Sequence, residues 1–250
     1  MTRPRIVALV PARSGSNRVK GKNIKRLSAH PLLGYTISEA LCSGIFSDVI
    51  VSTDSEEYSR IAEYYGAKVP VLRPREISGP ASTDYEWIRY TLEYLEKTGK
   101  TYTHFSILRP TSPFRRASTI QKCWKAFSQD GGADSIRAVE KCSQHPAKMW
   151  TLSGNRMTPL FPEPEGETPY HSRQYPSLPE TYVQNASLEI ANTSVIFEQK
   201  TISGKIIMPY ISEGLEGFDI NYDMDWEIAE MLISKNPELL PHMTMPPYPN

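Results

Sequence analysis

Apolar positions along the first 140 residues follow two alternating periods. Ile6–Val10 is a continuous apolar run of strand length, and Asp48–Ser52 is a β-branched run that ends in Thr53-Asp54. Between them Leu33, Ile37, Ala40 and Leu41 share one face of a helix predicted over Leu32–Cys42. The pattern then repeats. A helix over Glu56–Tyr65 is stopped by Gly66, a short strand covers Val69–Leu72, and a helix covers Asp84–Lys97 with Trp87, Leu92 and Leu95 roughly on one side. Next come a strand at His104–Leu108, a helix over Ser118–Phe127 closed by Gly131-Gly132, and a strand at Ser135–Val139. Glycine just past the last periodic residue is the usual helix stop, because it adopts the left-handed backbone without steric cost. Strands alternating with helices predict βαβ units, hence an α/β fold with a mainly parallel central sheet sandwiched by helices.

The alternation breaks between Pro159 and Pro179, which hold six prolines. Proline has no backbone donor and resists both helix and central strand. The segment is therefore an excursion from the core: a lid, a dimerisation arm or a disordered loop. Tyr170, His171, Arg173 and Tyr175 make it too aromatic for a plain linker. The α/β pattern resumes at Ser187–Phe197, followed by a short strand at Lys205–Met208 ended by Pro209 and a helix at Trp226–Ser234. The tail from Pro237 carries five prolines and reads as extended chain.

Composition narrows the class. The 250 residues hold 28 Lys plus Arg and 28 Asp plus Glu, so neither nucleic acid nor an anionic membrane is the expected partner. No apolar run approaches the ~20 residues of a membrane span, and no signal-peptide architecture is present. Cys42, Cys123 and Cys142 are odd in number and widely spaced. That excludes a disulfide framework or zinc ribbon and predicts a reducing, cytoplasmic setting.

Against this neutral background one loop stands out. Pro11-Ala12-Arg13-Ser14-Gly15-Ser16-Asn17-Arg18-Val19-Lys20-Gly21-Lys22-Asn23 follows the first strand; residues 13–26 hold six basic side chains, and the first acid in the chain is Glu39. Backbone N–H groups freed by glycine, Arg forks and Lys point charges together make a polyanion cradle at the carboxyl end of a strand, where α/β sheets bind ligands. The spacing from Gly15 to Gly21 is one residue too long for a Walker A loop, and G-x-G-x-x-G is absent. A second feature, Asp219-Ile220-Asn221-Tyr222-Asp223-Met224-Asp225, precedes the last helix. Asp219 and Asn221 alternate, so they point two hard oxygen ligands of the kind Mg²⁺ takes to one face. Asp223 and Asp225 read as helix N-terminal acids that complement the dipole. A third, Leu108-Arg109-Pro110-Thr111-Ser112-Pro113, is a stiff turn that brings Arg109 off a strand end. No H-e-x-x-H, paired cysteine or G-x-S-x-G elbow appears, which removes zinc and serine-hydrolase chemistry.

Together these motifs resemble the acylneuraminate cytidylyltransferases and their relatives acting on other nonulosonic acids. The resemblance runs through PARSGSNRVKGKNIKRL at 11–27, IVSTDS at 50–55, LRP at 72–74, LRPTSPFR at 108–115, HPAKMW at 145–150, RQYPSLPETYVQNASLEI at 173–190 and FDINYDMDWEIAE at 218–230. It implies one nucleotide-diphospho-sugar transferase domain over 1–250 with an inserted dimerisation and sugar-binding arm at about 141–185. It also implies a homodimer, Mg²⁺ (or Mn²⁺) as cofactor, and CTP and an acidic sugar as substrates. By resemblance Arg13, Ser14, Ser16, Lys22, Asn23, Arg73 and Thr83 serve the nucleotide. Arg109, Lys148, Arg173, Asn185 and Glu189 serve the sugar, Asp219 and Asn221 the metal, and Arg13, Lys22 and Asp219 catalysis.

Three positions depart from the family pattern: Asn221 stands where a second aspartate is usual, Arg109 where Gln is usual, and Glu189 where an aromatic is usual. Two other expectations remain open on the residues alone. One is a sugar-1-phosphate nucleotidylyltransferase using another nucleotide; the other is a non-catalytic nucleotide-binding relative.

Overall fold

A computed structural model describes residues 4–15 and 18–249. The chain opens with β1 (Ile6–Pro11), makes a small ribbon of β2 (Arg26–Leu27) and β3 (His30–Pro31), and enters α1 (Leu32–Cys42). The alternating half continues through β4 (Asp48–Ser52), α2 (Glu56–Tyr64), α3 (Asp84–Lys97), β5 (His104–Ile107), α4 (Ala117–Asp130) and β6 (Ser135–Lys141). A hairpin of β7 (Trp150–Ser153) and β8 (Arg156–Pro159) follows, then β9 (Tyr182–Asn192), α5 (Ser194–Phe197), β10 (Ile207–Ile211) and α6 (Asp223–Lys235).

Six strands form one sheet in the order β10-β6-β9-β5-β1-β4. β1 pairs in parallel with both β4 and β5, while β9 runs antiparallel to β5. Ile6–Val10 are buried throughout because β1 lies inside the sheet with both faces covered. Alternate residues serve opposite faces: Ala8 and Val10 pack with Leu33, Ile37, Ile61 and Ile120, and Val7 and Leu9 pack with Trp87, Ile88, Leu92 and Leu95. From β1 the chain passes to β4 on one side and then returns to β5 on the other. The strand order therefore reverses at β1, and such a switch point opens a crevice at the carboxyl ends of the strands.

Two expected elements differ. Val69–Leu72 forms no strand; pairing is limited to a bridge between Ile50 and Lys68, and Pro70 and Pro74 cannot donate to a longer ladder. The strand predicted to end at Pro209 instead runs through it as β10. β10 is the terminal strand of the sheet, the position where proline is tolerated.

The chain divides into two compact units, residues 1–138 with 185–250, and Val139–Gln184. The second unit holds the β7–β8 hairpin and two single turns, Tyr170–Ser172 and Tyr175–Ser177, into which the proline-rich segment is wound. Its rings stack edge to face: His145 against Phe161 and Tyr175, and Phe161 against Tyr170. Among the described residues no helix is long and apolar enough to cross a membrane.

Candidate functional site

The crevice at the switch point is a cavity of about 590 Å³, within the range of small-molecule sites. The loop after β1, the turn after β5, the segment before α3 and the segment before α6 converge on it.

Burial of hydrophobic anchors places the charged residues. Val19 from the basic loop and Ile220 from the acidic segment enter one apolar cluster with Leu32, Phe114 and Trp226. With Ile220 turned into that cluster, Asp219 and Asn221 on either side of it line the cavity. Ile220 N–H also donates to Thr111 O at 2.9 Å, which ties the acidic segment to the turn after β5. Gly21 has φ +63°, a left-handed backbone that only glycine adopts freely, and its carbonyl accepts from Ile24 and Lys25 to close the loop. Asn23 lines the cavity and clamps the loop through Nδ2–H to Arg13 O at 3.2 Å.

Lys22 is only 8% exposed, and its Nζ donates to Ile220 O at 2.5 Å. Burial is the main influence on its ammonium and lowers its pKa, with Arg18 and Arg13 acting the same way and Asp219 opposing them. Arg13 Nη1 reaches Ser78 O at 3.5 Å. Arg73 is held on β4 by Nε–H to Ser52 Oγ at 3.1 Å and Nη2–H to Ser52 O at 2.9 Å, with its guanidinium 4.9 Å from the Trp87 ring centroid. Burial lowers the Arg73 pKa to about 10, so it stays cationic at neutral pH. Arg18 lies over the Tyr222 ring at 5.3 Å. Among the described residues none of these four cations makes an ion pair, and all four line the cavity.

At the acidic edge Asn221 Nδ2–H donates to Asp219 Oδ2 at 2.5 Å, while Asp219 Oδ1 is buried without a hydrogen-bond partner among the described residues. Asp225 is committed elsewhere: its Oδ2 accepts the N–H groups of Asn221 and Tyr222, each at 2.8 Å, which closes a capping box on α6.

Arg109 also lines the cavity, paired with Asp84 through Nη2 at 2.8 Å and Nη1 at 3.4 Å, and with Glu189 through Nη2 at 3.2 Å. Burial acts to raise the Asp84 carboxyl, but Arg109, Trp87 Nε1–H at 2.8 Å and Arg73 outweigh it and hold the carboxyl below its usual range. The turn itself is fastened by the fully buried Arg115, whose guanidinium donates twice to Arg109 O at 3.3 Å, once to Thr36 Oγ1 at 3.0 Å, and to Ser187 O.

Of the predicted site residues, Arg13, Lys22, Asn23, Arg73, Arg109, Asp219 and Asn221 therefore share one cavity. Ser16 lies outside the described residues. Ser14 is not in the lining; its N–H and Oγ–H both donate to Asp54, at 2.7 and 3.0 Å, and so pin the loop to the end of β4. Asn185 donates to Ser212 Oγ at 3.0 Å, and Glu189 touches the cavity only through Arg109. Lys148 and Arg173 lie in the second unit. There Lys148 Nζ donates to the carbonyls of His171 and Arg173, both at 2.6 Å, and Arg173 pairs with Glu167 at 2.6 Å. Thr83 is the N-cap of α3: its Oγ1 accepts from Glu86 N at 3.4 Å while Glu86 Oε2 accepts from Thr83 N at 2.6 Å. Thr83→Ala is accordingly expected to cost about 1 kcal/mol of stability in thermal melts. Sequence reasoning missed Arg18, Asp84 and Trp87 as lining residues. Arg18 stands in the basic loop, whereas Asp84 carries only a helix-start signal and Trp87 only the apolar spacing of a helix face.

The profile of the Cytidylyltransferase family matches residues 7–142. An N-acylneuraminate cytidylyltransferase of Escherichia coli is 33% identical over 91% of this chain, and the chain spans about half (52%) of that relative's length. A CMP-N,N'-diacetyllegionaminic acid synthase of Legionella pneumophila is 32% identical over 94% of this chain and 99% of its own. A pseudaminic acid cytidylyltransferase of Campylobacter jejuni is 27% identical over 93% of this chain and 97% of its own. Among solved structures, a CMP:2-keto-3-deoxy-manno-octonic acid synthetase complexed with CTP superposes with TM-score 0.66 at 12% identity, over 92% of this chain and 99% of that one, which is a likeness of fold. The predicted α/β architecture thus has its counterpart in solved structures, and the chain belongs to the cytidylyltransferase family.

Proposed function

We propose that this crevice transfers CMP from CTP to a sialic-acid-like nonulosonic acid. The sugar's anomeric hydroxyl oxygen bonds to the α-phosphorus, the bond from that phosphorus to the bridging oxygen breaks, pyrophosphate leaves and the hydroxyl proton passes to solvent. The observation that carries the reading is the set of four cations, Arg13, Arg18, Lys22 and Arg73, that make no ion pair among the described residues and stand on the cavity wall of a chain with no net charge. They match a triphosphate and the charge that grows on departing pyrophosphate, and catalysis of this kind is mainly positioning and electrostatics. The acceptor class is supported by the relatives that match along nearly their whole length, which are named for legionaminic and pseudaminic acids.

A Mg²⁺ ion suits this site through one carboxylate and the oxygens of the substrate. Asp219 Oδ1 is an orphaned buried carboxylate oxygen, but no group of three or more His, Cys, Asp or Glu able to hold a metal occurs among the described residues. Asp219 would hold the ion, with Asn221 beside it, and the triphosphate oxygens would complete the shell. When bound, the ion neutralises phosphate charge; Mn²⁺ is the expected substitute. The setting we infer is cytoplasmic, and the assembly a homodimer. Support for the dimer comes from the second unit, where Leu152, Met157, Leu160, Tyr175 and Val183 are exposed. Light scattering at micromolar concentration is expected to give twice the chain mass, and a stable monomer would contradict it.

The nucleotide specificity is tested by scanning four NTPs against N-acetylneuraminic, N,N'-diacetyllegionaminic and pseudaminic acids for pyrophosphate release. CTP with one of these acids is expected to be the productive pair. Equal turnover with UTP or ATP, or release with a sugar 1-phosphate instead, would point to a different nucleotidylyltransferase.

A pH profile follows from Lys22. Its folded pKa is lowered, so the ammonium is lost at lower pH than an ordinary lysine, and with it a phosphate ligand. We expect kcat/KM for CTP to fall on an alkaline limb centred below 10.5, the ordinary lysine value. Activity level through pH 10.5 would contradict this role.

A further inference from the structure

Four buried or half-buried charges meet beside the cavity in an arrangement that phosphate binding does not require. Arg109 faces two carboxylates, Asp84 and Glu189, and Glu189 in turn accepts through Oε2 from Arg137 Nε at 2.8 Å and from Arg137 Nη2. Two guanidinium groups and two carboxylates thus alternate in one run of contacts, Asp84–Arg109–Glu189–Arg137. Only Arg109 and Asp84 of the four line the cavity; Glu189 is 7% exposed. Asp84 is further fixed by Trp87 Nε1–H, and the Arg109 backbone by Arg115. Arg109 and Glu189, 80 positions apart in the sequence, are thus direct partners.

This arrangement has a chemical consequence. A guanidinium that already carries two carboxylates gains little from a third, and it cannot turn toward one without breaking buried ion pairs. Three of its five N–H donors go to Asp84 and Glu189, which leaves the Nε–H and one Nη1–H without an acceptor among the described residues. Such a group is a fixed donor with its charge cancelled.

We propose that Glu189, backed by Arg137, positions Arg109 as a charge-neutralised hydrogen-bond donor that selects a neutral oxygen of the sugar, a hydroxyl or an acylamino carbonyl, and not its carboxylate. The inference rests on the reading of the cavity as a nonulosonic acid site. Arg109 is the specificity residue, and Glu189 and Arg137 are positioning residues.

The test uses whichever of the three acids the wild-type chain turns over best. Glu189→Gln is expected to raise the KM for that acid about tenfold and to leave the KM for CTP within about twofold. Arg109→Met is expected to raise it at least as much, and Glu189→Gln added to Arg109→Met to change it by less than about twofold, because the positioned group is gone. If Arg109 instead held the sugar carboxylate, Glu189→Gln would unmask positive charge and lower the KM, which would overturn the proposal. So would effects that simply multiply in the double variant, as a general loss of structure would give. Should Glu189→Gln fail to fold, the salt dependence of the acid's KM decides. Equal slopes in wild type and Arg109→Met are expected, and a shallower slope in Arg109→Met would show a charge–charge contact and overturn it. Absence of pyrophosphate release with all three acids would instead refute the site reading, and the inference with it.

Discussion

Lys22→Ala is expected to lower kcat/KM for CTP by about 10²–10³, equivalent to about 2–4 kcal/mol of transition-state stabilisation. Three observations set that size. The ammonium is nearly buried, so its charge acts in a medium less screened than water. It is held in place by Ile220 O, so its position is not left to a flexible side chain. It stands within the influence of Arg13 and Arg18, a repulsion that Asp219 offsets and an incoming polyanion relieves further. The same burial changes the stability forecast. A solvated loop would tolerate alanine freely, but here a hydrogen bond to the acidic segment is lost, and a cost of about 1 kcal/mol is expected. Initial rates across CTP concentration, with a thermal melt of the same sample, check both parts. Near-wild-type turnover would remove Lys22 from the phosphate cradle. Complete unfolding would show a purely structural role.

Asp219→Ala is expected to abolish measurable turnover in Mg²⁺ while leaving the fold intact. The buried Oδ1 has no hydrogen-bond partner among the described residues, and keeping such an oxygen desolvated and unpaired costs free energy that a ligand or ion would recover. Asn221 supplies no charge; it donates its amide to Asp219 Oδ2 and so steadies the one carboxylate available. Asn221→Asp is therefore expected to lower the Mg²⁺ concentration for half-maximal rate, because a second anionic ligand now faces the ion. In metal-free buffer the same variant is expected to melt earlier, since two carboxylates then face each other. Asp225→Asn should act on stability through the α6 cap, not on metal dependence, because both N–H groups it accepts belong to the helix start. Mg²⁺ titration of these variants separates the cases, and undiminished turnover of the wild type in excess EDTA would remove the metal from the account.

Much of this architecture is legible in the residues because its determinants are local. β1 was readable as five consecutive apolar residues, and Asp48–Ser52 and Asp84–Lys97 coincide with β4 and α3. The basic loop was legible because charge clustered in a neutral chain. Elements set by tertiary position were not. Pro209 reads as a stop, and only its place on the sheet's terminal strand permits it. Thr83 and Ser14 looked like ligand hydroxyls, but local backbone donors and Asp54 engage them first. The pairing of Arg109 with Glu189 spans 80 residues of sequence and has no short-range signature.

In the proposed reaction the α-phosphate of CTP ends on the sugar. The direct measurement is to incubate the full chain with CTP labelled at the α-phosphorus, Mg²⁺ and each of the three nonulosonic acids, and to follow the label and the mass of the products. The account predicts that the label leaves CTP together with an equimolar release of unlabelled pyrophosphate, and appears in a CMP-linked acid. Label recovered as free CMP without a sugar adduct, or retained in CTP with every acid, would contradict it.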